Sequence, residues 1–155
     1  MLKKYIWVFI ISMVPLIELR GAIPVAEYWQ LNKYIFIPLI IVGNMLPVPI
    51  IYLFARKVLE WGKDKPVIGK FFTWCLVKGE KGGKKLEKKA SKGLYWALML
   101  FVGIPVPGTG AWTGTLAASI LDLDFKKTII AVICGVLLAG LIVMAVSFGL
   151  FEVIL

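Results

Sequence analysis

Hydrophobic residues run along this chain in long stretches that polar residues interrupt at only a few points. Two of these stretches, residues 34–55 and 128–150, are long enough to cross a membrane as helices. At about 1.5 Å per residue they would extend about 33 and 34 Å, and the hydrocarbon core of a bilayer is about 30 Å thick. The pattern therefore predicts two crossing helices, the first of them kinked by its three prolines.

Two further apolar stretches, residues 5–17 and 94–106, are too short to cross, at about 20 Å each as helices. Each runs into a stretch rich in proline and glycine, "PLIELRGAIP" and "GIPVPGTGAWTG", and a short segment follows at 25–30 and 115–121. A helix, a break and a returning helix are typical of a re-entrant hairpin. Irregular backbone at that depth is tolerated where protein or a wet cavity surrounds it.

The order of short hairpin, polar marker and crossing helix occurs twice, which predicts an internal repeat. We expect one all-α membrane domain, residues 1–155, with repeat units at 5–58 and 94–155 and a basic connector at 59–93. Residues 66–77 of the connector are expected to form an amphipathic helix at the membrane interface. A third crossing at this position is the alternative.

Composition and charge agree with a membrane protein. Of the 155 residues 60% are hydrophobic, and the mean hydropathy is +0.88, whereas a soluble domain needs more polar surface. The net charge is +9, and residues 56–93 hold 12 Lys and Arg against four acidic residues. The positive-inside rule places this basic stretch in the cytoplasm. The two hairpins should then enter from opposite faces and meet near the midplane, as in inverted-repeat transporters.

Several classes of function are disfavoured by the residues present. The chain has no histidine, and its two cysteines lie far apart in the sequence, so we expect no metal site and no cofactor. No combination of nucleophile and base suggests an enzyme. The basic stretch is expected to face the cytoplasm and lipid headgroups, with no nucleic acid as a partner. A chain this small is expected to work as a homodimer or a higher homo-oligomer.

Glu18 and Arg20 stand out because charges inside a membrane cost several kcal/mol unless they are paired, hydrated or functional. One interpretation is a structural lock, in which the two charges neutralise each other at the tip of the hairpin; this requires non-helical backbone near Gly21 and Pro24. The other gives them separate roles: Arg20 binds phosphate or carboxylate, and Glu18, in a poorly hydrated site, carries a proton.

The second hairpin carries no charge, but it is rich in hydrogen-bond donors. The hydroxyls of Thr109 and Thr113, the indole of Trp112 and the backbone N–H groups near Gly108 and Gly110 could bind an anion, because helix N-termini favour negative charge. A helix-packing role for the glycines is the alternative. Asn44 adds an amide on the first crossing, where a helix–helix hydrogen bond is the alternative to binding. The candidate binding residues are Glu18, Arg20, Pro24, Asn44, Pro105, Pro107, Gly108, Thr109, Gly110, Trp112 and Thr113.

"ELRGAIP" and "GIPVPGTGAWTG", each in one half of a small membrane protein, resemble the small multi-drug export protein family and, more distantly, the DedA/VTT group. The resemblance implies the hairpin–helix inverted repeat and transport of lipid-linked substrates such as polyprenyl phosphates. Glu18 and Pro24 match the acidic-x-proline pattern of a DedA first hairpin, and Pro105, Pro107, Gly108 and Gly110 occupy the second. DedA proteins carry arginine in the second hairpin, and this chain has none between residues 94 and 114.

We therefore expect a multi-pass transporter in the plasma or inner membrane of a prokaryote. Its substrate is expected to be an anionic small or lipid-linked molecule, and Glu18 would couple transport to protons. The alternatives are a small multidrug exporter, which Arg20 beside Glu18 disfavours, and a non-transporting membrane scaffold or assembly factor.

Overall fold

The computed structural model describes the backbone of residues 1–154 and the side chains of these residues except 82, 83, 85–87, 89–91, 150, 151, 153 and 154. The described chain is helical, with no strand, which confirms the predicted all-α class. The helices are α1 (Leu2–Met13), α2 (Glu18–Tyr28), α3 (Lys33–Met45), α4 (Pro47–Gly62), α5 (Gly69–Gly103), α6 (Ala111–Ile120) and α7 (Phe125–Ile154).

Two helical stretches of the described chain, Lys33–Gly62 and Phe125–Gly149, are long and apolar enough to cross a membrane. They contain the two predicted crossings almost completely. The first combines α3 and α4, which continue into each other because Leu46 keeps helical angles (φ −59°, ψ −42°). Pro47 and Pro49 lack an N–H group, so the helical hydrogen bonds are interrupted there. No loop separates the two helices at this point.

The basic connector is more helical than predicted. Only residues 63–68 separate α4 from α5, and α5 then continues for 35 residues through the lysine-rich stretch to Gly103. Most of the predicted amphipathic segment 66–77 and most of the apolar segment 94–106 therefore belong to one helix. Lysine, glutamate and alanine are good helix formers and favour this helix, whereas the four glycines from Gly79 to Gly93 oppose it.

The first break is shorter than predicted. In this break only residues 14–17 are non-helical. α2 begins at Glu18, so Gly21 and Pro24 lie inside a helix. The expectation of irregular backbone at these two residues is therefore wrong. The chain turns instead through Leu16 (φ +72°) and Glu18 (φ +51°). The second break, residues 104–110, lies where the sequence predicts it and turns through Gly108 (φ +85°).

Matching contacts occur in the two halves of the chain. The hydroxyl of Tyr5 in α1 accepts a hydrogen bond from the Asn32 N–H (3.1 Å), and the hydroxyl of Tyr95 in α5 accepts one from the Asp124 N–H (3.2 Å). Asn32 caps α3 by accepting from Tyr34 N–H, and Asp124 accepts from Lys127 N–H near the start of α7. In each half, a tyrosine hydroxyl thus binds the residue that precedes a long apolar helix, α3 in the first half and α7 in the second.

The short helices also cross between the halves. α2 packs against α7, and α6 packs against α4, where the Ser119 hydroxyl donates to the Tyr52 carbonyl at 2.6 Å. The buried core lies between these elements, and its largest fully buried apolar side chains are Phe36, Leu19, Ile40, Val8, Val48, Val102, Val132 and Val136. This packing places the first break, between α1 and α2, against the second break, between α5 and α6.

Candidate functional site

Glu18 is the first residue of α2, and its side chain is buried against the start of α6 with 3% of its surface exposed. Its carboxylate accepts hydrogen bonds from the backbone N–H groups of Trp112 (3.0 Å) and Ala111 (3.2 Å). The first N–H groups of a helix have no partner inside the helix, and they lie at the positive end of its dipole. The carboxylate therefore supplies both the missing acceptors and the favoured charge.

Gly110 makes this approach possible. It precedes α6 with φ +143°, a conformation that residues with a side chain rarely adopt. A Cβ atom at this position would lie 2.5 Å from Oε2 of Glu18 and 2.8 Å from Oε1. The glycine is therefore required both by the backbone turn and by the carboxylate that occupies the space beside it.

Arg20 binds the other end of the same break. Its guanidinium donates to the carbonyl oxygens of Val106 (2.6 Å), Thr109 (2.8 Å), Val102 (3.2 Å) and Ile104 (3.2 Å). A fifth contact joins it to the Thr109 hydroxyl at 3.1 Å. Its Nε is buried and has no hydrogen-bond partner among the described residues.

The two charges therefore complement the two helix ends that flank the break. The last carbonyl groups of α5 carry partial negative charge and face Arg20, whereas the first N–H groups of α6 carry partial positive charge and face Glu18. Within the described residues, every ion pair involves Arg56, so Glu18 and Arg20 are not in salt-bridge contact with each other. A lock made by direct pairing of these two side chains is therefore wrong. The lock that exists joins one break to the other.

Two predicted donors of the second break take part in this lock. The Thr109 hydroxyl lies 2.8 Å from the Val106 carbonyl and 3.0 Å from that of Ile104, besides its contact with Arg20. The indole N–H of Trp112 donates to the Met13 carbonyl, at the end of α1, at 3.2 Å. α6 therefore donates a hydrogen bond to the end of α1, next to the first break, besides donating to Glu18.

The remaining predicted residues lie around this lock. Pro105, Pro107 and Gly108 are exposed along the second break, and Thr113 is half-buried in the first turn of α6. Pro24 is half-buried in α2, one helical turn beyond Arg20.

Asn44 is buried in α3 with 1% of its surface exposed, but its side chain binds neither Glu18 nor Arg20. Its Oδ1 and Nδ2 have no hydrogen-bond partner among the described residues. The expected hydrogen bond from Asn44 to a neighbouring helix is therefore not formed among the described residues.

A second polar cluster was not predicted. Arg56 in α4 forms ion pairs with Glu60 (3.2 Å), with Asp122 (2.7 Å) and with Glu80 of α5. Of the two neighbouring aspartates, Asp122 belongs to this cluster, whereas Asp124 accepts the Lys127 N–H at the start of α7. The spacing of four residues between Arg56 and Glu60 is the one sign of this cluster in the sequence, because the other partners are distant in the chain.

Glu27 was also missed by the sequence reasoning. It is half-buried in α2, and its Oε1 has no hydrogen-bond partner among the described residues. An acidic group in this position has the chemistry to bind a proton or a cation.

Comparisons with known proteins gave one family and no individual relative. No curated protein and no solved structure matched the chain. A family model described as "Putative small multi-drug export protein" matches residues 18–142, a region that begins at Glu18 and includes the whole second break. With this match and its two long apolar helices, the chain is a membrane protein that belongs to the small multi-drug export protein family.

Proposed function

We propose that the protein is a transporter of anionic substrates, and that the lock between the two breaks is its binding site in the closed state. The observation that carries this proposal is the Glu18 carboxylate on the first N–H groups of α6. The N-terminus of a helix is a natural binding site for anions. Glu18 therefore occupies, as part of the protein, the position that a substrate anion would take.

In this proposal a substrate anion replaces the Glu18 carboxylate at the start of α6. The class of substrate follows from the groups that become free when Glu18 leaves. An anion at the start of α6 would gain the N–H groups of Ala111 and Trp112, and it would compete with neutral carbonyls for Arg20. A charged phosphate oxygen is a stronger acceptor for guanidinium than a neutral carbonyl, and the planar fork of arginine suits phosphate. The Nε of Arg20, which has no hydrogen-bond partner among the described residues, offers a further donor. These groups favour a phosphate, on a small molecule or on a lipid such as a polyprenyl phosphate.

Glu18 would also couple this exchange to protons. The carboxylate and the substrate anion compete for the same two N–H groups, so one must leave before the other can bind. A protonated Glu18 has no charge to hold it at the positive end of α6. Uptake of a proton by Glu18 therefore releases the site for the substrate, and loss of the proton closes it again.

The topology that we propose is an inverted repeat of two re-entrant hairpins, each followed by a crossing helix. Its support is that α1 and α6, about 18 and 15 Å long, are too short to cross a bilayer. The matching tyrosine contacts of the two halves agree with a repeat. The basic stretch would lie in the cytoplasm, and the working unit would be a homodimer or larger homo-oligomer in the plasma (inner) membrane of a prokaryote.

Translocation of a polyprenyl phosphate in reconstituted vesicles tests this proposal. A phosphatase added outside removes phosphate from the outer leaflet only, so lipid of the inner leaflet is hydrolysed only after it has crossed. With wild-type protein, the hydrolysed fraction of polyprenyl phosphate should exceed the fraction that lies in the outer leaflet. With Arg20→Ala it should not. Lys126→Ala, which removes an exposed charge away from the site, is the control and should behave as wild type. Translocation that survives Arg20→Ala would contradict the proposed site.

Export of cationic drugs is a second candidate, because the family description names multi-drug export. A carrier of cations needs an acidic side chain without a fixed partner. Glu27 fits, because its buried Oε1 has no hydrogen-bond partner among the described residues. Ethidium transport in the same vesicles separates the two candidates. A cation exporter would lose ethidium transport with Glu27→Gln and keep it with Arg20→Ala, whereas an anion transporter would move no ethidium.

A further inference from the structure

A groove of about 470 Å³ lies between α5 and α7, away from Glu18 and Arg20. α5 contributes Lys92, Trp96 and Met99 to its lining, and α7 contributes Lys127, Ile130 and Cys134. On both helices the lining residues follow each other at three or four positions, so they form one continuous face of each helix.

Both lysines lie at the same end of this groove. Lys127 Nζ lies 5.7 Å from the ring centre of Tyr95, and further along the two helices Gly103 packs against Leu138. Residue numbers thus increase together on α5 and α7, and the helices run parallel. Lys92 and Lys127 therefore mark one end of the groove, and its walls are apolar from there on.

This end coincides with the point where both helices become apolar. The apolar part of α5 covers Lys92–Gly103, and the apolar stretch of α7 begins at Phe125. A groove with two positive charges at the boundary and apolar walls below it has the charge and polarity pattern of an anionic lipid. No acidic residue among the described residues lines it to compensate the lysines.

We infer that this groove binds an anionic phospholipid of the surrounding bilayer, with its phosphate on Lys92 and Lys127 and an acyl chain along Trp96, Met99 and Ile130. Basic pockets between membrane helices bind the headgroups of anionic lipids in this way. The inference does not depend on the proposed transport function, because the groove includes neither Glu18 nor Arg20.

Cys134 provides a native reporter, since it is exposed and lines the groove. The experiment uses Cys75→Ser protein in detergent and measures the rate at which a maleimide labels Cys134 as lipid is added. Phosphatidylglycerol is compared with phosphatidylcholine of the same acyl chains. Two lysines near a headgroup correspond to about thirty-fold tighter binding, so phosphatidylglycerol should half-protect Cys134 at about one thirtieth of the amount of phosphatidylcholine needed.

The charges are tested by a pair of matched variants. K92A/K127A should remove the preference for phosphatidylglycerol, whereas K57A/K126A, which removes two lysines outside the groove, should keep it. If K92A/K127A does not fold, about 1 M NaCl applied to the Cys75→Ser protein should abolish the preference instead, because the Debye length falls to about 3 Å. Equal protection by both lipids would overturn the inference. So would protection that rises with protein concentration without lipid, because a second copy of the chain would then cover the groove.

Discussion

Glu18 and Arg20 lie two positions apart on α2, and they bind opposite ends of the same break in the chain. Arg20 binds the carbonyl groups with which α5 ends, and Glu18 binds the N–H groups with which α6 begins. Buried backbone groups at helix ends are costly unless they find partners, and so are buried charges. The buried Glu18 and the half-buried Arg20 supply partners to the two helix ends, and the helix ends supply partners to the two charges. The two halves of the chain are thereby joined at their breaks.

The contribution of Glu18 to this joint can be measured by Glu18→Gln. The neutral amide offers one carbonyl oxygen in place of two charged ones, so the free energy of unfolding should fall by about 1–3 kcal/mol. Glu27→Gln is the matched control on the same helix, and it should not lower stability because the Glu27 Oε1 has no partner among the described residues. Unfolding of both variants in the same detergent checks this. Equal losses would mean that the α6 contacts of Glu18 contribute nothing specific.

Arg20→Lys keeps the charge but removes the planar fork. One ammonium group cannot reach four carbonyl groups and a hydroxyl, and each hydrogen bond to a charged group contributes about 1.5–3 kcal/mol. We expect a loss of at least about 2 kcal/mol in the free energy of unfolding. Arg56→Lys is the control, because its partners are partly exposed carboxylates and such ion pairs contribute about 0–1 kcal/mol. A larger loss for Arg56→Lys than for Arg20→Lys would contradict this account.

Gly110→Ala should destabilise the protein for two reasons that can be separated. The backbone turn at φ +143° becomes strained, and the new methyl group meets the Glu18 carboxylate. We expect a loss of about 1–3 kcal/mol, part of which should disappear when Glu18 is also replaced by alanine. Gly140→Ala is the control, since a Cβ at Gly140 meets no atom of the described residues within 4 Å. A Gly110→Ala effect unchanged by Glu18→Ala would leave backbone strain as its only cause.

The two crossings and the second break could be predicted from the sequence because each has a local cause. Apolar length marks a crossing, and Gly108 and Gly110 mark the turn that only glycine adopts easily. The helix through the lysine-rich stretch could not be predicted from periodicity, because its described lysines are exposed and no apolar face distinguishes it. The partners of Glu18 and Arg20 escaped prediction for another reason. They are backbone groups 82–94 positions away, which no side-chain pattern indicates.

The proposed topology predicts which side of the membrane each polar marker faces. Single cysteines replace Lys3, Lys33 or Lys84 in a chain whose own cysteines are replaced by serine, and a membrane-impermeant thiol reagent is added to intact cells. Positions 3 and 33 should react from outside, because both ends of the first hairpin lie on that side. Position 84 should react only after the membrane is permeabilised. Labelling of 3 and 33 from opposite sides would mean that the first hairpin crosses the membrane.

The binding of a polyprenyl phosphate as a function of pH tests the proposed exchange at Glu18 most directly. The measurement compares wild-type protein, Glu18→Gln and Arg20→Ala, each purified in the same detergent. Wild-type affinity should rise as the pH falls, because a protonated Glu18 releases the N–H groups of Ala111 and Trp112. Glu18→Gln should lose this rise, since an amide does not titrate in this range, and should keep only the pH dependence that comes from the ionisation of the phosphate itself. Arg20→Ala should bind weakly at every pH. Unchanged binding and unchanged pH dependence in both variants would contradict the account and leave Glu18 and Arg20 as a structural lock alone.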